Sequence, residues 1–305
     1  MMEETPVDFA PMPFARTARL LSIASVVSWA GAPALDARAQ ESPILVGRVG
    51  RADLETPPYS DWFDSQYSRY QPAAPVLESL RPRLAGVSVE AYFGTWCGDS
   101  RRQIPRLLRV LDLEAFDKQR LSLIALSDRP MQFKQAPGNP QATRRVHRTP
   151  TIVVLRDGVE AGRIVETPAV SLEADLLGIL EGRGPEPKYG AEAWVHDLFT
   201  DLKPEEAIEA LKAGGPEVLK RGDPGSLWHY AENDLLKNGR VAEAKAVLDL
   251  HLELNPQSVI GQILMSEALT ALGRTAEALK AIERALVLEP DNDRAKRAAA
   301  KLRGS

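Results

Sequence analysis

A repeat with a period of 34 residues runs through the C-terminal part of the sequence. Gly239 and Gly273, Ala244 and Ala278, Leu248 and Ile282, Leu252 and Leu286, and Pro256 and Pro290 each stand 34 positions apart. A fixed period of this length marks a helical hairpin stacked on a copy of itself. Small residues fall where two helices cross closely, glycine turns the chain between helices, and proline ends the second helix. Each hairpin can bury its apolar face only against its neighbour, so this part of the chain must grow as a stack rather than close as a globule.

Two such units are too few to stand alone, since about three or more are needed. The helical stretches of 190–221 ("AEAWVHDLF", "PEEAIEALKA") supply a divergent preceding pair, with packing against the first domain as the alternative. After Pro290, Ala295, Ala298, Ala299 and Leu302 share one helical face with charges opposite, the pattern of a solvated capping helix. With Trp228 at an early aromatic position and Ala278 and Ala285 at small ones, the region resembles tetratricopeptide helix pairs. Glu232 and His251 occupy positions where that family carries small residues, so the first repeat is imperfect.

The N-terminus is of another kind. "LLSIASVVSWAGAPAL" (20–35) is an uncharged apolar run behind Arg16 and Arg19, followed by Ala37-Arg38-Ala39, a small-x-small cleavage pattern. That is the layout of a secretory signal peptide, and the run is too short to favour a permanent span. Glu3, Glu4 and Asp8 do not suit such a segment, but a start at Met12 would. No arginine pair precedes the run and no cysteine lies near its end, which favours the general secretion route and excludes a lipid anchor. The expectation is export, to a bacterial periplasm, with no membrane association after cleavage. A net charge of −4 gives no reason to expect nucleic acid.

Between these regions lies an α/β pattern. Residues 40–72 are rich in Pro, Tyr and Ser and read as an irregular lead-in whose aromatics pack on the adjoining domain. "AAPVLESLRPRL" (73–84) is helical and "VSVEAYFG" (87–94) alternates as a strand. Ile104, Leu107, Leu108 and Leu111 give the next helix its apolar stripe. "LSLIAL" (121–126) reads as a buried parallel strand, and 128–148 as mostly loop or short helix. "TIVVLRDGVEAGRIVE" (151–166) is a hairpin turning at Asp157-Gly158, and Ser171 caps a helix over 171–182.

The segment "GTWCGDSRRQIPR" (94–106) holds the chain's single cysteine, Cys97. One cysteine makes no intrachain disulfide, so in an oxidising compartment it is either an inert buried thiol or a free reactive one. "TWCGDS" matches the W-C-G-x-C motif of the thioredoxin family at every fixed position but the last. Pro105 stands where that family kinks its active-site helix, and Thr149-Pro150-Thr151 where it carries a cis-proline beside the cysteine. Over 73–182 the chain therefore resembles the thioredoxin family, and its layout resembles the thioredoxin–tetratricopeptide chaperone proteins. Two positions depart from the family. Ser100 replaces the resolving cysteine, and Ala91 stands where thioredoxins bury a proton-transfer aspartate, with Glu90 on the opposite face.

The resemblance implies a thiol site in which Cys97, Ser100 and Pro150 act and Trp96, Thr149 and Pro150 line the substrate groove. A helix start suits a reactive thiol. Ser100 is placed to hydrogen-bond it, Asp99 opposes its charge, and Arg101 and Arg102 compensate. Such a thiolate would capture a disulfide as a mixed disulfide but could not release it unaided. The four histidines, His147, His196, His229 and His251, show no metal-ligand spacing, and no cofactor is expected. His147 is either a base near Cys97 or, more in keeping with its loop, a surface residue. The arginines of "ATRRVHR" (142–148) form either an anion patch or a solvated loop.

The sequence thus divides into a signal peptide (1–39), lead-in (40–72), α/β thioredoxin-like domain (73–182), linker (183–190) and all-α tetratricopeptide-like domain (191–305). Two functions remain open. One is monothiol exchange with client proteins through Cys97, an oxidoreductase lacking its resolving cysteine and dependent on an exported thiol reductase. The other is a noncatalytic scaffold or holdase that binds client proteins or peptides.

Overall fold

The computed structural model describes residues 43–186 and 188–304. The signal-peptide reading of 1–39 falls outside the described residues. Among those described, no helix is long and apolar enough to cross a membrane.

Five strands form one mixed sheet: β1 (Gly47–Val49), β2 (Val87–Phe93), β3 (Leu121–Ala125), β4 (Thr151–Arg156) and β5 (Val159–Val165), in the order β1-β3-β2-β4-β5. β2 and β3 are parallel, joined through a helix, while β1, β4 and β5 each run antiparallel to their neighbours. The strand, helix, strand, hairpin, helix order expected over 87–180 is present. The lead-in is more regular than expected. It contributes β1 and helix α1 (Ser60–Arg69), because Tyr59, Phe63 and Tyr67 recur every four residues and form one aromatic face. Phe63 is buried in the core of that half.

Helices α2 (Ala74–Leu80), α3 (Gly98–Leu113) and α4 (Leu172–Leu180) follow in this half. Ile104, Leu107, Leu108 and Leu111 of α3 are buried in one core with Val87, Val89, Ala91 and Phe93 of β2. The opposite sheet face buries Tyr92, Ile124 and Val153 against Ala136 and Val146 of the 128–148 loop.

The C-terminal half carries helices α5 (Gly190–Asp201), α6 (Pro204–Lys212), α7 (Gly215–Arg221), α8 (Leu227–Tyr230), α9 (Val241–Leu254), α10 (Val259–Ala271), α11 (Thr275–Leu288) and α12 (Asp293–Arg303). α8 runs on through a π turn, Ala231–Leu235, and a 3-10 turn, Leu236–Asn238. The periodic positions behave as the spacing requires. Gly239 and Gly273 both take left-handed φ, at 73° and 74°, and Ala244, Ala278, Leu248 and Ile282 are fully buried. Val195, Ala207, Leu211 and Val218 join the same core, so α5–α7 do extend the stack. α12 buries Ala295, Ala299 and Leu302 and caps it.

The imperfect repeat is repaired locally. His251 is buried and hydrogen-bonds Ser258 Oγ at 2.8 Å, and the room for its ring comes from Gly261 on α10, where a Cβ would lie 2.8 Å from the imidazole. Glu232 pairs with Arg294 of α12, which also holds Glu267 of α10, linking three successive layers.

Candidate functional site

Cys97 is the residue at which β2's exit loop becomes α3. Its backbone is extended, φ −88° and ψ 125°, as an N-cap requires. The thiol is half-buried and donates to the Thr149 carbonyl at 3.3 Å, across a cis Thr149-Pro150 bond. Cys97, Thr149 and Pro150 are thus brought together as expected. Trp96 folds back over Gly94, where a Cβ would lie 2.4 Å from the indole, and donates its Nε1–H to the Leu126 carbonyl at 2.9 Å.

Other details differ from expectation. Ser100 is completely buried, and its hydroxyl accepts from the Gly94 N–H at 3.1 Å rather than serving Cys97. It fastens the loop to the helix. Arg102 pairs with Asp99, and Arg101 donates to the Thr95 carbonyl at 2.6 Å, so neither arginine bonds the thiol. The Thr149 and Pro150 side chains are buried, and the Pro150 carbonyl accepts from Glu166 N–H at 2.7 Å. Ala91 faces the core below α3, while Glu90 lies on the other face, bound by Arg144 at 2.8 Å and by Tyr92. Those two partners overrule the burial that would otherwise raise the Glu90 carboxyl, and hold it below its ordinary range.

The loop 128–148 carries contacts that sequence reasoning missed. Its Phe133 ring packs on Trp96 with centroids 4.9 Å apart, and Lys237 Nζ lies 4.2 Å above the same ring. Asn238 accepts from Phe133 N–H at 2.9 Å and donates to its carbonyl at 3.2 Å. Lys134 Nζ, itself buried, reaches Asp234 at 2.9 Å. The first repeat is therefore fastened to the loop whose Phe133 packs on Trp96. A single aromatic in a polar loop was the only signal of this in the sequence.

The arginines of 142–148 form no anion patch, and of the three only Arg145 is exposed. Arg144 is engaged by Glu90, Arg145 by Asp197 and Asp201, and Arg148 by Glu166 and the fully buried Glu192 of α5. His147 is neither a base for Cys97 nor a surface residue. It is 5 % exposed, its ring lies 5.7 Å from that of His196, and burial, reinforced by His196, pushes its pKa down to about 3. Glu192 is held down to about 2. Burial opposes this, but the hydrogen bonds from Arg148, helped by the His229 ring 3.8 Å away, prevail. Among the described residues no His, Cys, Asp and Glu group can hold a metal ion.

A family model described as "Tetratricopeptide repeat" matches residues 235–302. The helical C-terminal region is therefore tetratricopeptide-like. Among solved structures, the first TPR of Spaghetti (RPAP3) bound to the HSP90 peptide SRMEEVD is similar at 23% identity, with a TM-score of 0.28, over 37% of this chain and 88% of that one. No curated protein matches. Repeats of this kind bind proteins, and that is the functional class the region supports.

Proposed function

We propose that the chain is a noncatalytic polypeptide-binding scaffold in which a thioredoxin-like half and the tetratricopeptide-like helices act as one body. The observation that carries this reading is the joint between them. Asn238, Asp234 and Lys237 of the first repeat bind Phe133 and Lys134 of the sheet half, and Glu192 binds Arg148. A repeat region fixed in this way presents its own surface and the sheet half's surface to one client. The expected result is that Cys97→Ala binds an unfolded client and suppresses its aggregation as well as wild type does. Loss of holdase activity in Cys97→Ala, with an unchanged circular dichroism spectrum, would refute the scaffold reading.

Monothiol exchange is the second reading, favoured by the half-buried Cys97 thiol at the start of α3. Its step is defined. The Cys97 thiolate attacks one sulfur of a client disulfide, a mixed disulfide forms, and the client's other sulfur leaves as thiolate. Because Ser100 has no thiol, a second, external thiol must attack the adduct to free Cys97. Nonreducing gels of acid-quenched, thiol-blocked cells decide it. Reductant-sensitive adducts in wild type but not in Cys97→Ala support exchange, and none in either removes it.

A further inference from the structure

β5 is an edge strand, so only one of its sides is covered by β4. The register fixes which backbone groups face away. Glu166 N–H donates to the Pro150 carbonyl, and this pair continues the Thr151↔Val165, Ile152↔Ile164 register. Alternation in an antiparallel pair then turns Ile164 toward β4, and turns Arg163 and Val165 outward. The Val165 carbonyl accepts from Thr167 N–H at 2.8 Å. Both backbone groups of Arg163 and the N–H of Val165 are left facing a cleft of about 520 Å³. That volume lies within the range of built ligand sites.

Proteins usually guard such an edge with proline, lysine or a covering segment. Here the middle of β5 is Ala161-Gly162, and Ala161 is exposed. The cleft's charges are matched internally. Arg163 pairs with Glu160, Arg145 with Asp197 and Asp201, Asp175 accepts from Ala169 and Val170 N–H, and Lys188 donates to Thr167. Glu186 stands at the exposed rim. A charged ligand would find no buried partner among the described residues. Among the described residues, what remains in the cleft without a partner is backbone.

We propose that this cleft takes an extended, uncharged segment of a client polypeptide by strand addition to β5, its backbone pairing with Arg163 and Val165. The site uses no residue of the Cys97 corner and stands whether or not the thiol is reactive.

The test uses the full chain, labelled with ¹⁵N, and the neutral probe acetyl-Val-Thr-Val-Thr-Val-amide. At saturation the Arg163 and Val165 amides are expected to exchange with solvent at least tenfold more slowly. N-methylating the probe's central amide is expected to weaken binding about fivefold for the one bond removed. Ala161→Glu, at an exposed position, should weaken it further without changing the fold, while Cys97→Ala should bind as wild type does. No protection at millimolar probe, or protection indifferent to N-methylation, overturns the proposal. So do shifts confined to the faces of α8 and α10, which would place the peptide on the repeats and leave the scaffold reading intact.

Discussion

Asn238 reads the backbone of Phe133 in both directions, accepting from its N–H at 2.9 Å and donating to its carbonyl at 3.2 Å. An asparagine side chain has the same donor and acceptor pair as a peptide unit, so this contact imitates one rung of a sheet between the loop and the first repeat. Asn238→Ala removes both bonds and leaves part-buried backbone groups unpaired. We expect a loss of about 1–3 kcal/mol. Denaturant unfolding measures the loss, and faster amide exchange at Phe133 locates it. A stability loss without faster exchange there would place the damage elsewhere.

Arg148 and Glu192 make a buried pair, with Arg148 also holding Glu166 at 2.9 Å and stacking 3.8 Å above the Tyr189 ring. Removing one member of such a pair strands the other charge, which costs about 3–5 kcal/mol. Glu192→Ala should approach that figure. Glu166→Ala should cost less, because Glu166 is the more exposed carboxylate and Arg148 keeps its principal partner. Paired chemical denaturation of the two variants checks the order, and equal losses would mean that the guanidinium is held by packing rather than by Glu192.

The repeat was legible because a period of 34 can be counted, and the buried face of α3 because four apolar residues recur at helical spacing. Cys97, Thr149 and Pro150 converge as the motif implied, because they flank short, regular elements of one sheet. His147 and Arg148 were not legible. Their loop is polar and would be solvated beside an isolated sheet, but it is buried by helices that begin only at Gly190. Charge-matched partners such as Glu192 leave no periodic trace, so a sequence pattern cannot tell a buried arginine from a solvated one. The same reason hid Asn238, which looks like an ordinary residue before a turn glycine.

Acid should weaken the fold in two steps whose windows are set by His147 and Glu192. The His147 pKa is lowered in the folded state to about 3, against an ordinary 6.5. Above pH 6.5 neither state is protonated and stability is full. Below it the unfolded chain takes up a proton that the folded chain refuses, and stability falls until about pH 3. At pH 5 the loss is about 2 kcal/mol. Glu192, lowered to about 2 from 4.5, contributes stability that is present above pH 4.5 and lost as the pH falls toward 2. His196 faces His147, and its pKa too is lowered by burial, so it adds to the first window. Asp234, Asp197, Lys134, Arg148 and Arg240 surround the two rings. Melting curves from pH 7.5 to 3.5 should show His147→Phe flatter than wild type between pH 6.5 and 4.5. An unchanged slope would assign that window to other groups.

The imperfect repeat is tolerated by an exchange of side-chain volume between positions 251 and 261. One period on from His251 and Gly261 stand Ala285 and Ala295, so a large and absent side chain in one unit correspond to two small ones in the next. Gly261→Ala puts a Cβ 2.8 Å from the His251 ring and 2.9 Å from Leu252, in a fully packed crossing. Overpacking of this kind costs about 1–3 kcal/mol. His251→Ala removes the ring and its bond to Ser258, at a comparable cost. Together the two changes reproduce the residue pair of the next unit, and the new methyl occupies space the ring has left. The double variant should therefore be less destabilised than the sum of the singles by about 1 kcal/mol. A double-mutant cycle measured by urea unfolding tests this directly. Simple additivity would show that Leu252 and Ser258, rather than the imidazole, set the limit on residue 261.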